Sequence, residues 1–323
     1  MSHATVPGGE PPEEPQPRRA HPLAASVTTV DRAVTLLSFR LLGGLPPAEQ
    51  AIRPLPAEPA IRPLPAPRSP QRAAPWIGCD HALSDPDFFP RWRAKVAERL
   101  AEQQSPVVGK THVPEKTTGG YVLQWYLIIP TYLGALLFHS ARRVPTLSPR
   151  QLSFRLDLGV LREVALRPGR FWCLPDDPDA DHPDAVLVPD EVVLGTILRR
   201  QVIAHASHFL AVYDPQVRFG HRTQWAAVTD VLDSGLLLAG RSFGSPQAGA
   251  ADARLVLADG AKPLTSASTI CQVTDSRGRT HWTRRRGSCC FLYALPGVER
   301  PCASCPRINN RERARIFGAR ESA

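Results

Sequence analysis

Apolar residues recur every three or four positions at Phe88, Phe89, Trp92, Val96 and Leu100, directly after Ser84-Asp85-Pro86. That spacing predicts an amphipathic helix with a start signal in front of it. The most apolar stretch, Tyr121 to Phe138, is interrupted mainly by Gln124, Pro130 and Thr131. It barely reaches membrane-spanning length, and its central proline and polar neighbours favour a buried helix. From Gln151 to Leu174 the period shortens to two, with Leu152, Phe154 and Leu156 alternating ahead of a Pro168-Gly169 turn, as expected of strands. Asp190-Glu191 opens a predicted helix reaching about Tyr213. A second is predicted from Gln224 to Leu238, where Trp225, Val228, Val231 or Leu232, and Leu236 share a face and Gly235 weakens the last turn. Ala253 to Leu257 and Thr269 to Val273 read as short strands. Together these elements predict an α+β fold of mixed helices and a small sheet, with a cysteine-rich segment at its end.

The N-terminal quarter follows neither period. Sixteen of the 34 prolines lie in the first 75 residues, which also repeat Ala51-Ile-Arg-Pro-Leu-Pro56 as Ala60-Ile-Arg-Pro-Leu-Pro65. Proline at that density removes backbone donors and favours extended conformations, so residues 1–75 are expected to be a disordered tail or linker, with at most an isolated helix over 26–43. The predicted division is 1–75 for this tail, 76–283 for the folded domain and 284–323 for the cysteine segment.

Charge and cysteine content narrow the function classes. The net charge of +9 rests almost wholly on arginine, the lysines being Lys95, Lys110, Lys116 and Lys262. Such a balance suits an acidic protein, an anionic ligand, nucleic acid or a membrane surface. Cys79, Cys173 and Cys271 are scattered singly while four others cluster, unlike a secreted disulfide scaffold. Arg18-Arg19 is not followed by the apolar run of an export signal, and a cytoplasmic protein is expected.

Several motif-like patterns fail on their own chemistry. Gly109-Lys110-Thr111 lacks the earlier glycine of a phosphate loop, which would fall at Gln104. Asp177, Asp179 and Asp181 lack the glycine and closing glutamate of a calcium loop and read as a solvated acidic turn. His205 and His208 have no carboxylate partner at a recognisable spacing and read as core-edge or surface residues. HExxH does not occur, and Gly240-Arg-Ser-Phe-Gly244, though it has GxSxG spacing, follows a predicted helix and not the strand a nucleophile elbow needs, so neither hydrolase signature is present.

The chemically specific segment is Cys289-Cys290, eleven residues, then Cys302-Ala-Ser-Cys305, preceded by Arg284-Arg285-Arg286. Four thiols in so short a window can converge on one centre at little loop-closure cost. The CxxC half suits zinc. The adjacent pair, whose side chains tend to diverge, suits a two-iron cluster at least as well, and spacing leaves the two open.

The flanks of these cysteines resemble the FhuF family of ferric-siderophore reductases. The residues concerned are Arg285-Arg-Gly-Ser-Cys-Cys-Phe-Leu-Tyr293, Cys305-Pro-Arg307 and, upstream, Arg218-Phe-Gly-His-Arg-Thr-Gln-Trp225. The resemblance spans roughly residues 80 to 318 and is specific only in the last thirty-five. It departs from the family in having eleven rather than ten residues between the cysteine pairs, an insertion in the Pro296–Pro301 loop that puts the redox potential in doubt. The resemblance implies a 2Fe–2S cluster on Cys289, Cys290, Cys302 and Cys305, and one-electron reduction of siderophore-bound Fe(III). It further implies a siderophore-reductase-like domain over 76–283 and a ferredoxin-like donor. Arg284, Arg285 and Arg286 are candidates to dock that donor, with a solvated basic strand as the plain alternative. Arg222 and Trp225 are candidates to border the substrate pocket, Trp225 being equally suited to a core role. No nucleic acid is expected on this reading, and the apolar Tyr121–Phe138 helix leaves room for peripheral membrane association. The rivals are a zinc-knuckle binding protein, with nucleic acid as one ligand open to it, and a non-catalytic iron–sulfur auxiliary of siderophore uptake.

Overall fold

At the centre of the molecule runs a helix with almost no polar face, Glu115–Ala141. The structure, a computed structural model, describes residues 20–43, 74–108, 112–214, 219–258, 262–296, 298 and 301–320. In chain order the elements are α1 (Leu23–Ala33), β1 (Ser38–Leu41), β2 (Ile77–Gly78), α2 (Cys79–Ser84), α3 (Phe88–Val108) and the central helix α4. Then come β3 (Val144–Pro145), β4 (Leu152–Asp157), β5 (Val160–Leu166), β6 (Phe171–Cys173), β7 (Ala185–Leu187), α5 (Glu191–Val212), α6 (His221–Ser242) and α7 (Pro246–Val256). The hairpin β8 (Ile270–Thr274) and β9 (Thr280–Arg284), a 3-10 turn at Leu292–Ala294 and α8 (Asn310–Arg320) complete the α+β fold.

α4 is long and apolar enough to cross a membrane, yet 94% of its most apolar window is buried against other elements. It offers no apolar face to a bilayer, which removes the ground for membrane association drawn from its sequence. Pro130 costs it a backbone donor; one residue later Thr131 Oγ1 donates to Leu127 O at 2.6 Å. α6 lies alongside, where Gly235 lets the helices approach: a Cβ there would stand 3.1 Å from Tyr132 and 3.2 Å from Ala135. The tyrosine hydroxyl meets Ser234 Oγ at 3.1 Å. Gly235 thus serves close packing within an intact helix instead of weakening it.

The main sheet has the order β1-β5-β4-β2, with β1 parallel to β5 and the other pairs antiparallel. β4 and β5 are joined through Leu158-Gly159, both at positive φ, the arrangement that matches strand twist in a two-residue turn. Trp92 of α3 fastens this turn by donating Nε1–H to Gly159 O at 2.8 Å. A smaller sheet, β3-β6-β7, lies between α4 and α5 in sequence, and α5 starts at Asp190, whose carboxylate accepts from Val193 N.

Three sequence expectations need correction. Residues 20–43, assigned to the tail with an isolated helix at 26–43, are a helix and a strand built into the domain. Leu23, Val27 and Val30 of α1 are buried, and β1 pairs with β5 from Ser38↔Glu163 to Leu41↔Leu166. The neighbouring prolines obscured this helical spacing of apolar residues. Ala253 to Leu257 is the end of α7, not a strand. Ser245 caps that helix by accepting from Ala248 N, Pro246 follows, and α7 packs backbone to backbone on α6 at Gly240 and Gly249. The acidic turn is not simply solvated, because Asp177 and Asp179 grip the buried Arg143 at 2.5–2.7 Å while its Nη1 donates to Pro22 O. The internal repeat and Gly109-Lys110-Thr111 lie outside the described residues.

Candidate metal centre

β9 delivers Arg284, Arg285 and Arg286 to the edge of α6, where Asp230, itself buried, receives the chain that follows. Its carboxylate accepts Gly287 N and Ser288 N at 2.7 Å and Ser288 Oγ at 2.5 Å. A buried carboxylate with three donors is well compensated, and it sets the direction in which Cys289 and Cys290 leave the turn. The next residue, Phe291, lies in the left-handed region at φ 57°. The N-terminal turn of α4 holds it there: Thr117 Oγ1 donates to Phe291 O at 3.1 Å. A Cβ on Gly120 would stand 3.4 Å from Cys290 O. Phe219, just before α6, stacks on the Phe291 ring at 5.8 Å.

The second pair is shaped from the other side. Cys305 N donates to Cys302 O at 3.0 Å, closing the CxxC turn, and Arg286 N donates to Ser304 O at 3.0 Å, tying the two cysteine pairs together. Arg313 of α8, fully buried, donates to the carbonyls of Ala303, Cys305 and Ile308. α8 is in turn started by a reciprocal cap, Asn309 Oδ1 accepting from Glu312 N while Glu312 Oε2 accepts from Asn309 N. Phe317 stacks on His281 of β9 at 4.9 Å and holds α8 against the hairpin.

The result is a knot of thiols in which Cys290, Cys302, Cys305 and Ile308 are buried together and Cys289 is half-buried. Cys302 donates to Cys290, and with Arg286 and Leu292 N–H beside it the Cys290 thiol is pulled well below the ordinary thiol range. Cys302, facing that thiolate, is pushed up and keeps its proton. Burial raises Cys289, whose sulfur accepts from Phe291 N at 3.3 Å. Burial also opposes the charge on Arg286, but the Cys290 thiolate and Asp230 outweigh it and hold the guanidinium ionised.

This donor set suits an iron–sulfur cluster. It offers four thiols, N–H groups aimed at sulfur, and two buried cations, Arg286 and Arg313, against the negative charge that thiolates and inorganic sulfide would bring.

Of the residues singled out in the sequence, Cys290, Cys302 and Cys305 share one buried cluster, and Cys289 lies beside it, its thiol sensing Cys290 and Cys305. The arginine triplet does not form a docking surface. Arg286 is 3% exposed and turned to the thiols, Arg284 is 6% exposed beside Asp233, and only Arg285 faces solvent. The plain alternative, a solvated strand, fails for the same reason. Trp225 is buried with Nε1 donating to His221 Nε2 at 3.0 Å, a core role, while Arg222 is exposed on the first turn of α6. His205 is a core residue, donating Nδ1–H to Leu147 O and accepting from Tyr126 OH; His208 is exposed. Asp230, Arg313 and Thr117 escaped sequence reasoning. The signals available were the Gly119-Gly120 pair in an apolar helix and two acids, Asp230 and Asp233, on the apolar face of another.

His21, His182 and Asp184 also lie close enough to share an ion. Both Nδ1 atoms accept backbone N–H groups, from Leu23 and Asp184, so the neutral rings carry their protons on Nε2, and His21 Nε2 faces Asp184 Oδ2 at 3.3 Å. His21 Nε2 is buried there without a hydrogen bond, and in these tautomers neither imidazole turns a lone pair toward the carboxylate's side to hold a metal with it.

Residues 286–307 match a family model described as the FhuF 2Fe-2S C-terminal domain, and the match runs across the eleven-residue gap. A solved structure of aerobactin synthetase IucC from a hypervirulent pathotype of Klebsiella pneumoniae is 12% identical. The likeness covers 58% of this chain and 32% of that one at a TM-score of 0.33, too low to argue from. No curated protein matches.

Proposed function

We propose, from the match of residues 286–307 to the FhuF 2Fe-2S C-terminal domain, that the chain is a ferric-siderophore reductase of the cytoplasm. In this reading it passes single electrons to Fe(III) held by a siderophore and releases Fe(II). The observation that carries the reading is the buried thiol knot with Arg286 inside it, contacts a purely mechanical knuckle does not need. Cys289, Cys290, Cys302 and Cys305 would hold the cluster, which when bound supplies a one-electron carrier. The remaining work belongs to the protein. Arg286 and the N–H groups of Phe291 and Leu292 offset negative charge at the sulfurs. Tyr121 and Ile308, both buried, keep water off them. Fe(II) binds hard oxygen chelators far more weakly than Fe(III), so transfer of the electron alone loosens the complex, and no general acid or base is required.

Purified protein tests this directly. We expect absorption between about 400 and 600 nm that dithionite bleaches, with iron and sulfide in equal amounts. Addition of a ferric hydroxamate or catecholate to the reduced protein should restore the absorption while a chelator traps Fe(II). Colourless protein with stoichiometric zinc would refute the cluster. Coloured protein that never yields Fe(II) would refute the reductase.

A further inference from the structure

Beside the thiol knot an open groove of about 380 Å³ runs along α8, lined by Pro301, Ile308, Glu312, Arg315, Ile316 and Ala319. Two of these residues have another side. Ile308 is buried with Cys290, Cys302 and Cys305, and Ile316 packs against the same group. The groove floor is therefore one side chain thick over the cysteines. Glu312 and Arg315 line the groove, Glu312 being tied to Asn309 in the helix cap, and two further arginines near them in the chain, Arg307 and Arg311, are exposed, so the surface around α8 has an excess of positive charge. Arg307 is also held in place, its guanidinium lying 4.4 Å from the centre of the Tyr293 ring. An apolar floor beside an excess of one charge is how a protein patch of the opposite sign is recognised.

We propose that the α8 groove docks an acidic electron-carrier protein, the partner that reduces the centre beneath it. This rests on the reductase reading for the partner's role. One electron leaves the reduced carrier and one is gained by the thiol-bound centre, without a proton. The short path from groove to sulfur makes this face, and not the buried Arg284 and Arg286, the entry for electrons.

The test uses the full, cluster-loaded chain and a plant-type 2Fe–2S ferredoxin as the acidic probe. Binding is measured by titration at several salt concentrations. We expect salt-sensitive binding that Arg311→Glu/Arg315→Glu weakens by about tenfold or more, with ferredoxin-driven reduction slowed in step. The thermal midpoint and bleaching by dithionite should not change. Arg200→Glu/Arg254→Glu, on exposed positions of α5 and α7, makes the same change in net charge and should leave binding intact. Equal weakening by both pairs, no weakening by the first, no binding by the unmodified chain, or self-association that the first pair abolishes would each overturn the proposal. Fe(II) release driven by dithionite alone reports on the reductase reading separately, because it needs no docking.

Discussion

Replacing Arg286 by glutamine should lower the reduction potential of the loaded protein by an amount the structure allows to be sized. The guanidinium is 3% exposed, and it is the cation that Cys290, Cys302 and Cys289 all feel. Reduction adds one negative charge to that neighbourhood. Two unit charges about 5 Å apart at an effective dielectric of about 20 interact by roughly 3 kcal/mol. For one electron, about 59 mV corresponds to a tenfold change in equilibrium, or some 1.4 kcal/mol. The expected fall is therefore on the order of 100 mV. Glutamine keeps an N–H donor, and Asp230 retains its bonds to Gly287 and Ser288, so the fold should survive. The opposite change, Asp230→Asn, removes the anion that shares Arg286 and should raise the potential. A potentiometric titration followed by visible absorption reads both variants. If Arg286→Gln moves the midpoint by less than about 20 mV, under ~0.5 kcal/mol, or moves it upward, the electrostatic role assigned to this residue is wrong.

Other consequences are more local. Burial lowers His205 to about 4, so below the ordinary value of 6.5 the unfolded chain takes up a proton that the fold refuses. Stability tied to His205 is complete above pH 6.5 and shrinks by about 3 kcal/mol as pH falls toward 4; urea melts at a series of pH values should show this slope, and His205→Gln should flatten it. Gly240→Ala would place a Cβ 2.5 Å from Ser245 O and 2.7 Å from Gly249 Cα, backbone that cannot turn aside. The cost should be about 1–3 kcal/mol in the same melts. Arg313→Met strips three carbonyls of their donor and should cut iron retained per chain, measured after desalting, more than it shifts the thermal midpoint of the domain. Arg143→Leu leaves the buried Asp177 without its partner and should destabilise by about 3–5 kcal/mol, seen as a lower urea midpoint.

How legible these features were in the sequence depends on how local their causes are. The helices α3, α5 and α6 follow from the spacing of their apolar residues, with Asp85 and Asp190 near the starts of α3 and α5. α4 was legible as buried because Pro130 and its polar neighbours argued against lipid. α7 was misread because the window Ala253–Leu257 shows only its last turns; the start signal, Ser245-Pro246, lies outside it. The thiols could be grouped by spacing alone. Asp230 could not, since it meets Ser288 across 58 residues, nor could the burial of Arg286, because a charged side chain is expected at the surface until its partners are known. Arg313 resembles its exposed neighbours Arg311 and Arg315 in every local respect and differs only in the turn of helix on which it falls.

The edges of the main sheet carry a last consequence. β1 forms one border and β2 the other, with β5 and β4 between them. Whatever path residues 44–73 take, they start and finish on opposite borders, three strand spacings or about 14 Å apart. The proline-rich stretch is thus a bridge with both piers in the same domain. A single protease cut within it would not shed the first seventy residues. It would leave a two-fragment protein, its small piece retained by the parallel pairing of β1 with β5 and by Arg143 on Pro22. The two pieces, expressed separately, should reassemble on mixing.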